Sequence, residues 1–146
     1  MPWWTGDKNL IATHFTVAYW CVLIASFLPI VCAGIAKWGS FRLPRSQGGY
    51  DNHNPRAWLA AQSDWRARAN AAQANSFEAL PFFIGAVVIA HQLGASQATV
   101  DILAFAYVFI RIVYIMTYVA DAATVRSVLW ALGIAVNVGI LLIGYR

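Results

Sequence analysis

The chain has 146 residues, 60% of them hydrophobic and only 11% charged, with a formal net charge of +4 and a mean hydropathy of +0.59. Soluble domains carry about 25% charged residues, and a chain this short has too little interior to hide so much apolar surface from water, so a bilayer is its natural solvent. The length allows one domain, and basic residues flanked on both sides by apolar segments argue against nucleic-acid binding.

The first apolar stretch, residues 15–36, runs 22 residues without a charge, where about 20 suffice to cross a membrane. It is too long for a signal-peptide core and no small-residue cleavage pattern precedes a soluble body, so it reads as a retained helix over about 13–37, bent at Pro29. Cys21 and Cys32 both fall inside it and cannot bond to each other along one helix; they read as small apolar fillers. With no CxxC and no Cys/His set in the chain, no structural zinc is expected. Residues 38–63 form the one long connection. Gly39, Pro44, Gly48, Gly49 and Pro55 there indicate an ordered turn and then a short helix, 55–62, with proline in its first position, while His53 reads as a turn residue. A second span over 64–92 is polar in its first half and apolar in its second; a third covers 97–119 and a fourth 124–145. Short connections make these helices antiparallel neighbours. The expected fold is an all-α, integral-membrane four-helix bundle occupying the whole chain.

Lys37, Arg42, Arg45, Arg56, Arg66 and Arg68 crowd between the first two apolar segments, offset only by Asp51 and Asp64. That excess marks a cytoplasmic loop. The 38–63 loop and the 120–124 turn are therefore expected on the cytoplasmic side, with the 93–97 turn and both termini outside. Trp3, Trp4 and Tyr145 would fit one interfacial belt, and Trp38, Trp58 and Trp65 the other. His14 and His91 read as outer-interface side chains without a ligand role, and Asn137 as polar glue between helices.

Charged and amide groups set into apolar spans are costly and mark function by default. On the second span Arg68, Ala71, Asn75 and Glu78 fall within an arc of about 80° at 100° per residue, while Arg66, Asn70 and Gln73 point elsewhere. Guanidinium, amide and carboxylate on one stripe suit a small zwitterion with several carboxylates and an amine. On the third span Arg111, Tyr114 and Tyr118 share a face. On the fourth, Arg126 and Ser127 open the helix and Trp130 follows one turn later; a cation there can stabilise a thiolate or another developing anion. A structural alternative stands beside each: a buried Glu78–Arg111 ion pair that sets helix registry, tyrosines that only bridge helices, and an Arg126 that only snorkels to headgroups.

In this combination the chain resembles the MAPEG family, the membrane-associated proteins in eicosanoid and glutathione metabolism. The likeness spans the whole chain and is sharpest over residues 71–83, where Asn75, Glu78 and Pro81 match the family's Arg-Ala-x-x-Asn-x-x-Glu-x-x-Pro pattern. Further marks are Arg111, Tyr114 and Tyr118, then Arg126 with Ser127. The resemblance implies a homotrimer of the bacterial type in the inner membrane, with glutathione bound between subunits and open to the cytoplasm. It implies that Asn75, Glu78, Tyr114 and Tyr118 contact glutathione, that Arg126 sits at the thiol with Ser127 as a second candidate, and that Lys37 holds a carboxylate. The chain departs from the pattern at Ala71, where the family's enzymes place an arginine; Arg68, one turn earlier on the same face, is the candidate substitute. The expected activity is that of a glutathione-dependent transferase or peroxidase acting on lipophilic electrophiles dissolved in the bilayer. The alternative is a non-catalytic membrane module, either a lipid-binding trimer or an accessory subunit of a larger complex.

Overall fold

The computed structural model describes residues 15–145. Trp3, Trp4 and His14, the start of the first span at 13, and the amino terminus assigned to the outer side lie outside the described residues. Five helices follow in chain order: α1 (Val17–Lys37), α2 (Pro55–Ala60), α3 (Asp64–Gln92), α4 (Gln97–Val119) and α5 (Ala123–Ile143). Four of them, α1, α3, α4 and α5, are 21, 29, 23 and 21 residues long and apolar enough to cross a bilayer. Large apolar side chains are exposed along their lengths, for example Trp20, Phe27 and Ile30 on α1, Phe105 and Phe109 on α4, and Val128 and Leu132 on α5. Such a surface is stable only against lipid or another apolar chain.

Helices α3 and α4 form the middle of the bundle. Each packs against α1 on one side and α5 on the other, and α1 scarcely meets α5. Small residues make the approach close: Ala18, Ala25, Ala69, Ala72, Ala86, Ala90 and Ala104 are all buried at helix contacts. Between α3 and α4 Phe83 stacks on Tyr107 with ring centroids 4.1 Å apart. Cys21 and Cys32 are free and buried.

Polar clamps hold the helix ends. At the end where α1 begins, Asp101 of α4 accepts the backbone N–H of Ala18 at 2.8 Å and the Gln97 amide at 2.7 Å, capping α1 from a neighbouring helix. His91 bonds the Val87 carbonyl through Nδ1 at 2.7 Å, meets Thr16 Oγ1 through Nε2 at 3.3 Å and stacks on Tyr19. At the other end, Arg66 donates to the Trp38 carbonyl at 3.0 Å, joining the start of α3 to the end of α1. Arg68 Nε donates to the Val119 carbonyl at 3.0 Å, and its Nη1 lies 3.7 Å from Asp121 in the α4–α5 turn. Asp121 itself has φ +64°, a left-handed conformation that aspartate tolerates better than most residues.

The 38–63 loop is folded on itself through two short 3-10 turns, Ser40–Arg42 and Arg45–Gln47, and α2. Pro55 opens α2, which closes at Ala60, two residues short of the predicted end. One expectation is corrected here. Trp58 is not an interfacial anchor: it is buried, its indole N–H donates to the Gly48 carbonyl at 3.2 Å, and its ring meets Tyr50 edge-on. The loop supplies the polar and aromatic partners that a headgroup layer would otherwise offer. At Gly49 a Cβ would overlap the Leu43 carbonyl, so only glycine fits that crossing.

Candidate functional site

Two recesses open side by side between α3, α4 and α5. The outer one, nearer the Arg126 end, has a volume of about 500 Å³ and is walled by Tyr114, Tyr118, Arg126, Ser127 and Ala131. The inner one, about 200 Å³, lies deeper along the helices against Glu78, Phe82, Tyr107, Arg111, Ile134 and Asn137. Asn75 and Trp130 line both, forming a shared wall.

Helix periodicity places these groups. Arg126, Trp130, Gly133 and Asn137 recur at spacings of four, three and four residues, which keeps them on one face of α5. Tyr107, Arg111, Tyr114 and Tyr118 do the same on α4, and Asn75, Glu78 and Phe82 on α3. Three faces that would each be awkward against lipid thus turn toward one another.

Arg111 is the buried centre of the arrangement, 4% exposed. Its Nη2 donates to Asn75 Oδ1 at 3.0 Å and to Ser76 Oγ at 3.2 Å, and its guanidinium lies 4.2 Å from the Tyr114 ring centroid. The expected alternative of a Glu78–Arg111 ion pair is not what forms. Neutral acceptors on α3 occupy the guanidinium, and among the described residues Glu78 has no hydrogen-bond or ion-pair partner and is exposed toward the inner recess. One consequence concerns Asn75. Because its oxygen is taken by Arg111, its amide N–H₂ is the end left to donate to a ligand.

At the outer recess, the Arg126 guanidinium stacks 4.3 Å from the Tyr118 ring centroid, and Tyr114 and Tyr118 meet edge-on at 5.6 Å. Stacking occupies the face of the guanidinium and leaves its in-plane N–H groups to donate. Helix α5 begins without a side-chain cap, so the positive end of its dipole adds to the Arg126 charge. The Ser127 hydroxyl donates back to the Ala123 carbonyl at 3.1 Å, so in this rotamer it offers a ligand only acceptor lone pairs.

Two expected contributors lie elsewhere in the chain. Arg68 is turned to Val119 and Asp121 and lines neither recess, so within one chain it does not stand in for the arginine missing at Ala71. Lys37 sits at the end of α1 with its ammonium 4.6 Å from the Tyr50 ring centroid, also outside both recesses. Sequence reasoning also left several lining residues unassigned, Tyr107 and Gly133 among them. Tyr107 stands one turn before Arg111, and Gly133 stands on the Arg126–Trp130 face; helical spacing alone would have found both. Asn137, read as glue between helices, lies on α5 against the Tyr107 phenol of α4, in keeping with that reading, and also borders the inner recess.

The MAPEG family model matches residues 17–145, nearly the whole chain. The chain belongs to the MAPEG family. No match was found among curated proteins or among solved structures. As a MAPEG protein with four apolar helices of spanning length it is an integral, multi-pass membrane protein.

Proposed function

We propose that this MAPEG protein binds glutathione in the outer recess and activates its thiol for reaction with lipophilic electrophiles held in the adjoining membrane. The observation that carries the reading is the Arg126–Tyr118 stack at the uncapped start of α5, facing Asn75 across the recess. In this reading Arg126 donates to the sulfur. A free thiol, with a pKa near 8.5, is mostly protonated at neutral pH, and each 1.4 kcal/mol of preference for the thiolate raises its fraction about tenfold. Asn75 donates its amide N–H₂ to a peptide carbonyl or carboxylate, and Tyr114 and Tyr118 offer phenolic donors. Glu78, on the adjoining inner recess beyond the wall shared through Asn75 and Trp130, is the group suited to the ammonium of a glutathione that reaches across that wall. Ser127, with its proton engaged, serves as an acceptor beside the thiol. Arg111 acts through Asn75, fixing which end of the amide faces the ligand. In the transfer reaction the thiolate forms a C–S bond as the carbon's bond to a leaving group breaks, and that group departs with the electron pair.

Three copies of the chain complete the proposal. Glu78 is unpaired among the described residues, and a neighbour packed on part of the exposed apolar faces would give Lys37 a route to that neighbour's recess. The cytoplasmic side is assigned to the Arg126 end and the membrane to a bacterial inner membrane.

Isothermal titration of the purified protein with glutathione is the first test, and conjugation of a chlorinated dinitrobenzene the second. Arg126→Ala should lower kcat/KM at least about tenfold, the equivalent of about 1.4 kcal/mol of transition-state stabilisation. Full activity in that variant would remove the assigned role. One specific feature favours the second reading, a non-catalytic module: Ala71 lacks the family's arginine and Arg68 is engaged elsewhere. No heat of binding with glutathione would select it.

A further inference from the structure

Where α1 ends, the chain leaves the helix through Trp38 and Gly39 and enters the 3-10 turn Ser40–Arg42 at once. Gly39 takes φ +77°, a left-handed conformation that lets the backbone change direction there. Ser40 is buried; its hydroxyl donates to the Lys37 carbonyl at 2.7 Å, and its own carbonyl accepts the Tyr50 N–H at 3.1 Å. Arg42 is therefore held beside the end of a span instead of being carried on a free loop. The result is a groove of about 360 Å³ lined by Gly34, Trp38, Gly39, Phe41 and Arg42, within the range of about 300–1,000 Å³ usual for small-molecule sites. It shares no lining residue with the two recesses between α3, α4 and α5.

The groove has an apolar part and a cationic head. Trp38 is 76% exposed and Phe41 68%, more open than Trp20 at 55% and Phe27 at 54% on the apolar outside of α1. Aromatic rings that stand clear at the end of a spanning helix belong in the headgroup layer. Phe41 is fixed there edge-on against Tyr50, with centroids 5.0 Å apart. Gly34 follows Phe27, Ile30 and Val31 at spacings of seven, four and three residues, so it continues their exposed face. A Cβ at Gly34 would meet no atom within 4 Å, which leaves the groove open along that face. At the head, Arg42 is exposed and its guanidinium has no hydrogen-bond or ion-pair partner among the described residues. Three carbonyls that would repel an anion at the end of α1 are engaged: Ile35 by the Trp38 N–H, Lys37 by Ser40 and Trp38 by Arg66. A guanidinium grips phosphate through two parallel N–H bonds. The 38–63 connection sets Arg42, Arg45 and Arg56 against Asp51 alone, and Arg45 already holds that carboxylate. A zwitterionic headgroup would bring a second cation into this field, whereas an anionic one brings none.

We infer that this groove binds an anionic glycerophospholipid, with its phosphate on the Arg42 guanidinium, its glycerol between Trp38 and Phe41, and one acyl chain laid over Gly34 and along the exposed face of α1. The inference is independent of the glutathione reading. A lipid fits better than a free phosphate, because the aromatic rings and the open glycine offer nothing to a soluble ion. It also fits better than a second copy of the chain, which carries the same net charge of +4 and would set like charge against a basic groove.

The test uses Trp38 as the reporter. Full-length protein is reconstituted in phosphatidylcholine nanodiscs at physiological salt. Increasing fractions of phosphatidylglycerol, or of phosphatidylcholine, are then supplied with an acyl chain brominated near its carbonyl end. Bromine quenches a tryptophan that it touches, and the difference between the wild-type protein and Trp38→Phe isolates the signal of Trp38. The expected result is quenching by brominated phosphatidylglycerol at a mole fraction about fivefold lower than by brominated phosphatidylcholine, the preference that one basic side chain confers at a bilayer surface. Arg42→Gln should abolish the preference. Gly34→Leu should abolish it too: the new side chain fills the groove from a Cβ that meets nothing in the fold, and the charge of the loop is unaltered. Loss in that variant separates a seated lipid from diffuse attraction to a basic loop. Equal quenching by the two lipids in the wild-type protein overturns the proposal, and so does a preference that survives either variant. Quenching of Trp38 by neither lipid would mean that a second copy covers the groove, and overturns it as well. Soluble glycerol phosphate that displaces the brominated lipid as well as unlabelled phosphatidylglycerol does would assign the groove to the phosphate alone, and likewise overturns the lipid site.

Discussion

Arg111 has its guanidinium bonded to two neutral side chains of α3 and stacked on a tyrosine of its own helix. Its presence in an apolar run made it legible in the sequence as something other than lipid-facing, but its partners were not legible. Coulomb's law favoured Glu78, and the geometry chose Asn75 and Ser76, because the register of α3 against α4 turns the carboxylate toward the recess instead. Replacing Arg111 with methionine keeps the volume and leaves two acceptors on α3 without their donor, a cost of about 1–3 kcal/mol. The expected outcome is a lower melting temperature in detergent, and a loss of glutathione affinity that Arg111→Lys only partly restores, since an ammonium lacks the planar reach to both acceptors. Ala71 supports a gain. Ala71→Arg should tighten glutathione binding several-fold in the titration while leaving assembly intact. No change in affinity would show that the recess is built for another ligand.

At the level of helices, the spans were readable because hydropathy and length decide them; the contacts between spans were not. Asp101 illustrates the difference. In the sequence it is a lone acidic residue near the start of an apolar segment, and in the fold it caps α1 from α4. Asp101→Ala removes the acceptor of the Ala18 N–H, and a loss of about 1 kcal/mol is expected, seen as faster hydrogen exchange at the start of α1 than at its end. Unchanged exchange there would mean that water takes over the cap. The 38–63 loop repeats the lesson. Its glycines and prolines announced turns, but the inward turn of Trp58 depends on the Gly48 carbonyl reaching it, a contact across 10 residues that no local pattern encodes. Gly49→Ala should loosen that fold, because its backbone passes too close to Leu43 for a side chain. Trp58 emission shifted toward that of a solvated indole would report it.

For the molecule as a whole, the candidate site was legible as three sets of residues on three helix faces, and their convergence required the packing of α5 against both α3 and α4. What lies beyond one chain was legible only through family resemblance. The proposed trimer has a direct measurement: the protein mass in a nanodisc or mild detergent, with Glu78→Arg expected to weaken assembly if a neighbouring cation meets that carboxylate. A monomer retaining full glutathione affinity would contradict the shared-site proposal. The basic loop offers a way to read sidedness. Arg42 and Arg56 are exposed and lack partners among the described residues, and Arg45 holds only a loose pair with Asp51 at 3.5 Å. Trypsin can therefore nick the chain between α1 and α3 without touching any span. In sealed inverted vesicles the protein should split into one short and one long fragment that stay together through helix packing, whereas in right-side-out spheroplasts it should survive whole; a single digestion thus reports which compartment the ligand must come from.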